Sequence, residues 1–224
     1  MSDRSGSAAM QNPATVDSGV RFWNKFADRY AARPLKDVAA YEAFLADVAG
    51  RLQAADRVLE IGCGTGGTAI RLAPHSTQFT ATDFSAEMVR IAKAKPAPDN
   101  LRFVVSSAET ALDGGPFEVI CAFNVLHLVD DLPDLLGRIH TQLRPGGLLI
   151  SKTWCFADLG IKLRLLFAAL RVFDLFPPAT SIGVLQLRQA FLDAGFEIVD
   201  QRIFGSRSQN PYVVARKPLA EDKT

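Results

Sequence analysis

The stretch RVLEIGCGTGGTAIRLA (57–73) sets a short apolar run directly before a glycine-rich loop and a helical pattern. Such a run is typical of a buried strand, and glycines behind it permit a tight turn into a helix. The same rhythm recurs downstream, with apolar runs at 78–82, 101–105, 117–123 and 148–152 and helical patterns at 85–95 and 132–143. Ser85 is the candidate N-cap of the first of these two helices. This alternation predicts a doubly wound α/β fold with a mostly parallel sheet.

The remaining segments extend this core. Residues 1–19 are small and polar and are expected to form a disordered tail, whereas 20–54 carry aromatic residues at helical spacing that predict an N-terminal helical cap. We assign 55–217 to the main domain, in which a helical insert, 157–183, follows the fifth strand. Residues 218–224 are assigned to a C-terminal tail.

The glycine loop raises a question of charge. It satisfies G-x-G-x-x-G through Gly62, Gly64 and Gly67, and Asp83 follows about 20 residues later, which is the spacing of a dinucleotide-binding site. Glu60 argues against that ligand, because its carboxylate would point to where a pyrophosphate has to lie. At a separation of about 4 to 6 Å, such a like-charge contact costs on the order of 1 to 4 kcal/mol. A positively charged ligand would be attracted instead.

We therefore expect a ligand with an ammonium or sulfonium group near Glu60 and a ribose near Asp83. S-adenosylmethionine combines these groups in this order, and the glycines would let the backbone approach its methionine part closely. A nicotinamide-dependent oxidoreductase and a non-catalytic protein that binds S-adenosylmethionine are the alternatives.

Four motifs occur in a fixed order: VLEIGCGTG (58–66), TATDFSAEMVRIAKAK (80–95), FEVICAFNVLHLVDD (117–131) and LRPGGLLISKT (143–153). Together they resemble the class I S-adenosylmethionine-dependent methyltransferases, most closely the small-molecule branch that includes the ubiquinone/menaquinone C-methyltransferases. The resemblance implies a Rossmann-like, seven-stranded sheet in the order 3-2-1-4-5-7-6, and S-adenosylhomocysteine as the product left by the cofactor.

The resemblance also implies which residues surround the cofactor. The methionine part is assigned to Glu60, Gly62, Cys63, Gly64 and Gly66, the ribose to Asp83, and the adenine to Phe84, Met88, Ser107 and Ala108, with Asn124 facing the same crevice. Packing in the core is the alternative for Met88. Ser107 stands where the family commonly has an aspartate, so backbone groups are expected to take a larger part in recognising the adenine.

The methyl acceptor is expected where the strand order reverses, at the carboxyl ends of the first and fourth strands. An activated donor needs mainly in-line placement, so a catalytic base is not required. His127 is the candidate base, with lining of the pocket as its alternative. Trp23, Tyr30 and Trp154 are predicted to line the acceptor pocket, and packing is the alternative for the aromatic residues of the cap.

The composition restricts the partners. The net charge is +1, from 25 basic and 24 acidic residues, so the basic surplus typical of nucleic-acid binding is missing. We expect a small, hydrophobic or aromatic acceptor, with O- or C-methylation favoured, and neither a metal ion nor a nucleic-acid partner; RNA methylation remains an alternative. The sequence has no signal peptide and no apolar run of roughly 18 residues, so a cytoplasmic location is predicted.

The apolar segment 159–176, LGIKLRLLFAALRVFDLF, is open to three interpretations. It could be a lid over an apolar acceptor or simply pack on the fold, it could form a dimer contact, or it could touch the surface of a membrane.

Overall fold

In a computed structural model, which describes residues 13–173, 175–177 and 179–219, the described part of the chain contains one seven-stranded sheet. Its strands are β1 (Arg57–Ile61), β2 (Gln78–Asp83), β3 (Leu101–Val105), β4 (Phe117–Phe123), β5 (Leu143–Lys152), β6 (Glu197–Arg202) and β7 (Tyr212–Arg216). They lie in the order β3-β2-β1-β4-β5-β7-β6, and β7 runs antiparallel to both of its neighbours. The predicted fold and strand order are confirmed.

Helices cover both faces of this sheet. They are α1 (Pro13–Ala31), α2 (Val38–Ala49), α3 (Gly67–Leu72), α4 (Ala86–Lys93), α5 (Ala108–Ala111), α6 (Leu132–Gln142), α7 (Ile161–Val172) and α8 (Val184–Asp193). Successive residues of β1 enter different cores: Val58 packs in the cluster that includes Phe44 of α2, and Leu59 in the cluster that includes Leu136 of α6. Burial on both faces explains why the central strands are apolar almost throughout.

The helix α1 begins at Pro13, so the predicted end of the disordered tail at residue 19 is too late; residues 1–12 lie outside the described part. Two contacts with distant parts of the chain order this segment. Gly19 is buried so close to Phe84 that a Cβ on it would lie 3.2 Å from the ring. The hydroxyl of Ser85 donates to Asn24 Oδ1 at 2.7 Å. The local composition of the segment does not show these contacts.

Capping fixes the position of α4 beside the end of β2. Ser85 is its N-cap, as the sequence predicts, and its hydroxyl oxygen accepts the backbone N–H of Met88 at 3.2 Å. The same hydroxyl is the one that donates to Asn24, so α1 is tied to the first turn of α4. In this way α1 is held beside the carboxyl ends of the strands.

Candidate active site

The loop between β1 and α3 depends on three glycines in the left-handed region, Gly62 (φ 68°), Gly64 (φ 53°) and Gly66 (φ 77°). A Cβ at Gly62 would lie 2.6 Å from the Val125 side chain, and one at Gly66 would lie 2.6 Å from the Phe103 ring. Both the backbone conformation and the lack of space therefore exclude larger residues at 62 and 66.

Gly67 differs from these three glycines. It is the first residue of α3, its φ is not positive, and a Cβ there would meet nothing within 4 Å. In a dinucleotide site the last glycine of the fingerprint allows close packing between helix and strand. Here Gly66 is the glycine that packs closely, against the Phe103 ring. The pattern that the fold requires is therefore G-x-G-x-G, and the match to G-x-G-x-x-G through Gly67 is coincidental.

Asp83, the last residue of β2, is buried and joined to the glycine loop. Its Oδ2 accepts the N–H of Gly64 at 2.9 Å, and its Oδ1 accepts the N–H of Ser85 at 2.9 Å. Burial raises the pKa of the carboxyl, and the two N–H groups oppose the rise. Each oxygen retains a lone pair, so the carboxylate can still accept hydrogen bonds from ribose hydroxyls.

Glu60 is only 2% exposed, and its Oε2 has no hydrogen-bond partner among the described residues. Burial raises the pKa of this carboxyl to about 8, and the nearby Asp83 adds to the rise. An unpaired buried carboxylate is costly, and a cation beside it removes much of that cost. The site is therefore suited to a ligand whose positive group lies against Glu60, which the ammonium and sulfonium of S-adenosylmethionine provide.

A single cavity brings most of the predicted cofactor residues together. It is lined by Trp23, Tyr30, Gly62, Gly64, Asp83, Phe84, Met88, Phe123, Asn124, Val125 and Leu128. Glu60, Cys63 and Gly66 are not among these residues, although they belong to the strand and loop that supply Gly62 and Gly64. Sequence reasoning missed the apolar wall formed by Phe123, Val125 and Leu128, for which the end of the fourth strand was the available signal.

Asn124 reaches this cavity through an unusual backbone conformation. It is the one non-glycine residue with positive φ (56°) in the described part of the chain, and its N–H donates to the Lys152 carbonyl at 2.6 Å. Asparagine tolerates the left-handed region better than most residues, and such conformations are concentrated at functional sites. The turn takes the chain sharply away from β4 at the point where Asn124 lines the cavity.

Ser107 and Ala108 lie at the start of α5, and neither is among the residues that line this cavity. The Ser107 hydroxyl oxygen accepts the N–H of Thr110 at 3.2 Å, which is the bond expected of an N-cap. Capping therefore accounts for the serine, and a role of these two residues at the adenine stays a prediction.

His127 lies between two residues of the cavity wall, Val125 and Leu128, without lining the cavity itself. It is 6% exposed, and its Nδ1 has no hydrogen-bond partner among the described residues. Burial lowers the pKa of the imidazole to about 4. His127, the candidate base of the sequence analysis, is therefore neutral at pH 7 and a weaker base than an ordinary histidine.

Trp154 belongs to a second group of side chains, which we call the aromatic cluster: His127, Trp154, Phe156, Phe167 and Phe176. Phe156 is at its centre, with ring centroids 5.3 Å from His127, 6.2 Å from Trp154, 5.7 Å from Phe167 and 5.5 Å from Phe176. The structure thus separates the predicted pocket residues, since Trp23 and Tyr30 line the cavity whereas Trp154 and His127 meet at Phe156.

The model of a methyltransferase domain family matches this chain over residues 27–201, which is more than half of its length. The chain belongs to this methyltransferase family. The match spans the glycine loop, Asp83 and the whole parallel part of the sheet. The unpaired Glu60, the three left-handed glycines and Asp83 fit S-adenosylmethionine as the cofactor of such a domain.

Relatives of the methyltransferase cover only part of its length. The tRNA 5-carboxymethoxyuridine methyltransferase of Escherichia coli K12 is 35% identical over 99 residues, which are 42% of this chain and 38% of that protein. An uncharacterised methyltransferase of Mycobacterium bovis is 33% identical over 98 residues, or 43% of this chain and 50% of the relative. The chain thus spans half or less of these relatives, and the similarity does not single out the ubiquinone/menaquinone branch.

A solved structure shows the same fold over nearly the full chain. The complex of DhpI with SAH (S-adenosylhomocysteine) superposes with a TM-score of 0.70 at 16% identity, covering 94% of this methyltransferase and 100% of DhpI. At this level of identity the likeness supports the fold alone.

One contact of the methyltransferase had no signal in the sequence. Asn24 Oδ1 accepts both the Ser85 hydroxyl and, at 3.3 Å, the N–H of Glu87, and so holds α1 across the cavity. Nothing distinguishes this asparagine locally from a solvated helix residue. Trp23 and Tyr30, which do line the cavity, pack edge to face with ring centroids 5.8 Å apart.

Two further findings concern metal ions and membranes. Within the described ranges, no three His, Cys, Asp or Glu side chains are grouped so that they could hold a metal ion. In the same part of the chain, each helix is too short or too polar to traverse a bilayer.

Proposed function

We propose that this enzyme methylates a small, hydrophobic or aromatic acceptor, with O- or C-methylation favoured. The observation that carries the proposal is the aromatic cluster around Phe156. Trp154, Phe156, Phe167 and Phe176 are all half-buried, so their rings keep apolar surface available to a further molecule. Aromatic rings packed around a flat apolar molecule bury large areas at a small cost in conformational entropy.

The connection between the cluster and the donor cavity is short. Val125 and Leu128 line the cavity, and His127, which lies between them, contacts Phe156. A molecule held by the cluster would therefore be separated from the donor only by the short turn that carries Val125, His127 and Leu128. Because orientation alone can lower a barrier by about 7 to 11 kcal/mol, placing an acceptor beside the donor is a large part of the catalytic task.

Each residue of the site receives a role in this proposal. S-adenosylmethionine supplies the activated methyl group when it is bound. Glu60 would neutralise its positive charge and Asp83 would hold its ribose. His127 would accept a hydrogen bond from the acceptor at Nδ1 and position it, since an imidazole with a pKa of about 4 draws protons only from acidic groups.

RNA is the second candidate acceptor, and the similarity to a tRNA methyltransferase is the observation that favours it. The composition favours the small molecule, since 25 basic residues against 24 acidic ones give no general attraction for phosphate.

The experiment is a transfer assay with methyl-labelled donor on phenols, quinone precursors, fatty acids, amines and bulk tRNA. We expect label in an apolar or aromatic compound, and Trp154→Ala should raise the KM for that compound about tenfold, the effect of roughly 1.4 kcal/mol of lost packing. Affinity for S-adenosylhomocysteine should not change. Phe204→Ala is the matched control, because this half-buried ring packs instead on Phe44 and Tyr212.

Label in tRNA without label in any small molecule would overturn the proposal. So would a Trp154→Ala enzyme whose KM equals that of the Phe204→Ala control.

A further inference from the structure

The helix α7 is the least buried helix for which side chains are described along most of its length. Only Phe167 and Leu170 of residues 161–171 are half-buried, and the other nine positions are exposed. Phe167 faces inward and contacts Phe156 of the aromatic cluster, with ring centroids 5.7 Å apart. The opposite side of the helix therefore has no partner in the described part of the fold.

Apolar residues line that opposite side. Ile161, Leu165 and Ala168 recur at helical spacing and form what we call the outer stripe, in which Ile161 and Leu165 are each 64% exposed. Immediately after the helix, Phe173 is 72% exposed and Leu175 is 57% exposed. A water-facing helix surface is normally polar, so this contiguous apolar surface indicates an interaction site.

Basic residues flank the outer stripe on both sides. At 3.6 residues per turn, Lys162 lies on one side of the stripe and Arg164 on the other; Arg171 also lies on this second side, but its guanidinium donates to the carbonyl of Ala179. No acidic residue occurs between Ile161 and Val172. Along the chain, the nearest described carboxylate is that of Asp158, which accepts the N–H of Val184 at 2.7 Å. A helix with an apolar stripe and basic flanks is typical of binding at an anionic interface.

We propose that α7 binds the surface of a bilayer that contains anionic lipids. The outer stripe would enter the boundary between headgroups and acyl chains, while Lys162 and Arg164 extend to the lipid phosphates. A second copy of this chain is a poorer occupant. Two copies of α7 packed on each other would bring basic flanks together with no carboxylate from either helix between them.

This inference extends the proposed function, because the inner side of the same helix contacts the aromatic cluster. An apolar acceptor dissolved in the bilayer would need to travel only past α7 to reach Phe156. Lipid binding itself needs no turnover, so it can be tested whether or not the acceptor assignment holds.

The experiment is cosedimentation of the full chain with vesicles of phosphatidylcholine alone and with phosphatidylglycerol mixed in. We expect binding to the anionic vesicles and much weaker binding to the neutral ones. Ile161→Ser with Leu165→Ser should lower the partition coefficient at least about tenfold, because two buried aliphatic side chains are lost. The matched control is Leu185→Ser with Leu192→Ser on α8, which replaces two aliphatic residues that are 81% and 41% exposed.

A charge variant tests the basic flanks. Lys162→Gln with Arg164→Gln should weaken binding to the anionic vesicles about fivefold for each charge removed, which corresponds to about 1 kcal/mol per basic residue. Lys93→Gln with Arg102→Gln removes the same charge from exposed positions elsewhere and should have a smaller effect. Calorimetry with S-adenosylhomocysteine checks that every variant is folded.

Equal binding of the α7 and α8 double variants would overturn the proposal, as would failure of the unaltered protein to bind anionic vesicles. Light scattering could instead show a dimer that the double variant Ile161→Ser with Leu165→Ser does not form. If the protein then binds no vesicles, the outer stripe is the contact with a second copy of this chain. If vesicles bind but no apolar acceptor is methylated, the proposed function fails and the membrane surface stands.

Discussion

The backbone N–H of Gly64 donates to Asp83 Oδ2 at 2.9 Å, which joins the glycine loop after β1 to the carboxylate at the end of β2. The two parts of the donor site are therefore fixed relative to each other before any ligand binds. Such preorganisation lowers the cost of binding, because the groups need little further ordering.

Replacing Asp83 with alanine should weaken the binding of S-adenosylhomocysteine by about 1.5 to 3 kcal/mol, since an ionised acceptor for the ribose is lost. Isothermal calorimetry measures this directly. Asp99→Ala, which removes an exposed carboxylate before β3, is the control and should bind as the unaltered enzyme does. Unchanged affinity in Asp83→Ala would show that the ribose lies elsewhere.

Donor binding should release a proton and strengthen as the pH rises. In the free enzyme the pKa of Glu60 is about 8, so the carboxyl is mostly protonated at pH 7, whereas a bound cation favours the ionised form. Affinity should therefore rise up to about tenfold per pH unit below pH 8 and level off above it. Calorimetry in buffers of different ionisation enthalpy counts the proton. Glu60→Gln should abolish its release, whereas the surface variant Glu197→Gln should retain it.

Two adjacent glycines should respond in opposite ways to alanine. Gly66→Ala forces a Cβ to within 2.6 Å of Phe103 in a left-handed conformation, so we expect the free energy of unfolding to fall by about 2 to 4 kcal/mol. Gly67→Ala has free space at the start of α3 and should be neutral or stabilise by up to about 1 kcal/mol. Urea unfolding compares the two, and similar losses for both would refute the assignment of close packing to Gly66.

His127 should destabilise the fold in mild acid. Its pKa is lowered from 6.5 to about 4, so between these values the unfolded chain binds a proton that the folded chain does not. This contribution to the free energy of unfolding is complete above pH 6.5 and is lost as the pH falls to 4, by about 2 to 3 kcal/mol. His127→Asn should therefore lose less stability between pH 7 and pH 4 than the unaltered protein. Urea unfolding at pH 7 and at pH 4 measures the loss for each protein. An equal loss in His127→Asn and in the unaltered protein would contradict the buried, neutral imidazole.

Features that depend on residues close to one another in the sequence were predictable from the sequence alone. The central strands are apolar because both of their faces are buried, and the alternation with helices was sufficient to give the fold and, through the family resemblance, the strand order. Ser85 caps α4 as predicted, because capping is a contact between residues three positions apart. The prediction of a cationic ligand from the charge of Glu60 also rests on one short motif. Membership of the methyltransferase family agrees with that prediction.

Only the tertiary structure decided features that arise where distant segments meet. Phe103 and Val125 make glycine necessary at 66 and 62, and neither is near the loop in sequence. The packing of α1, through Gly19 and Asn24, on Phe84 and Ser85 depends on residues far apart in the sequence, and the pKa of His127 depends on how deeply the turn after β4 is buried. Local sequence determines which conformations a segment prefers. Space, burial and electrostatic environment are properties of the packed chain, so they became visible only in the folded structure.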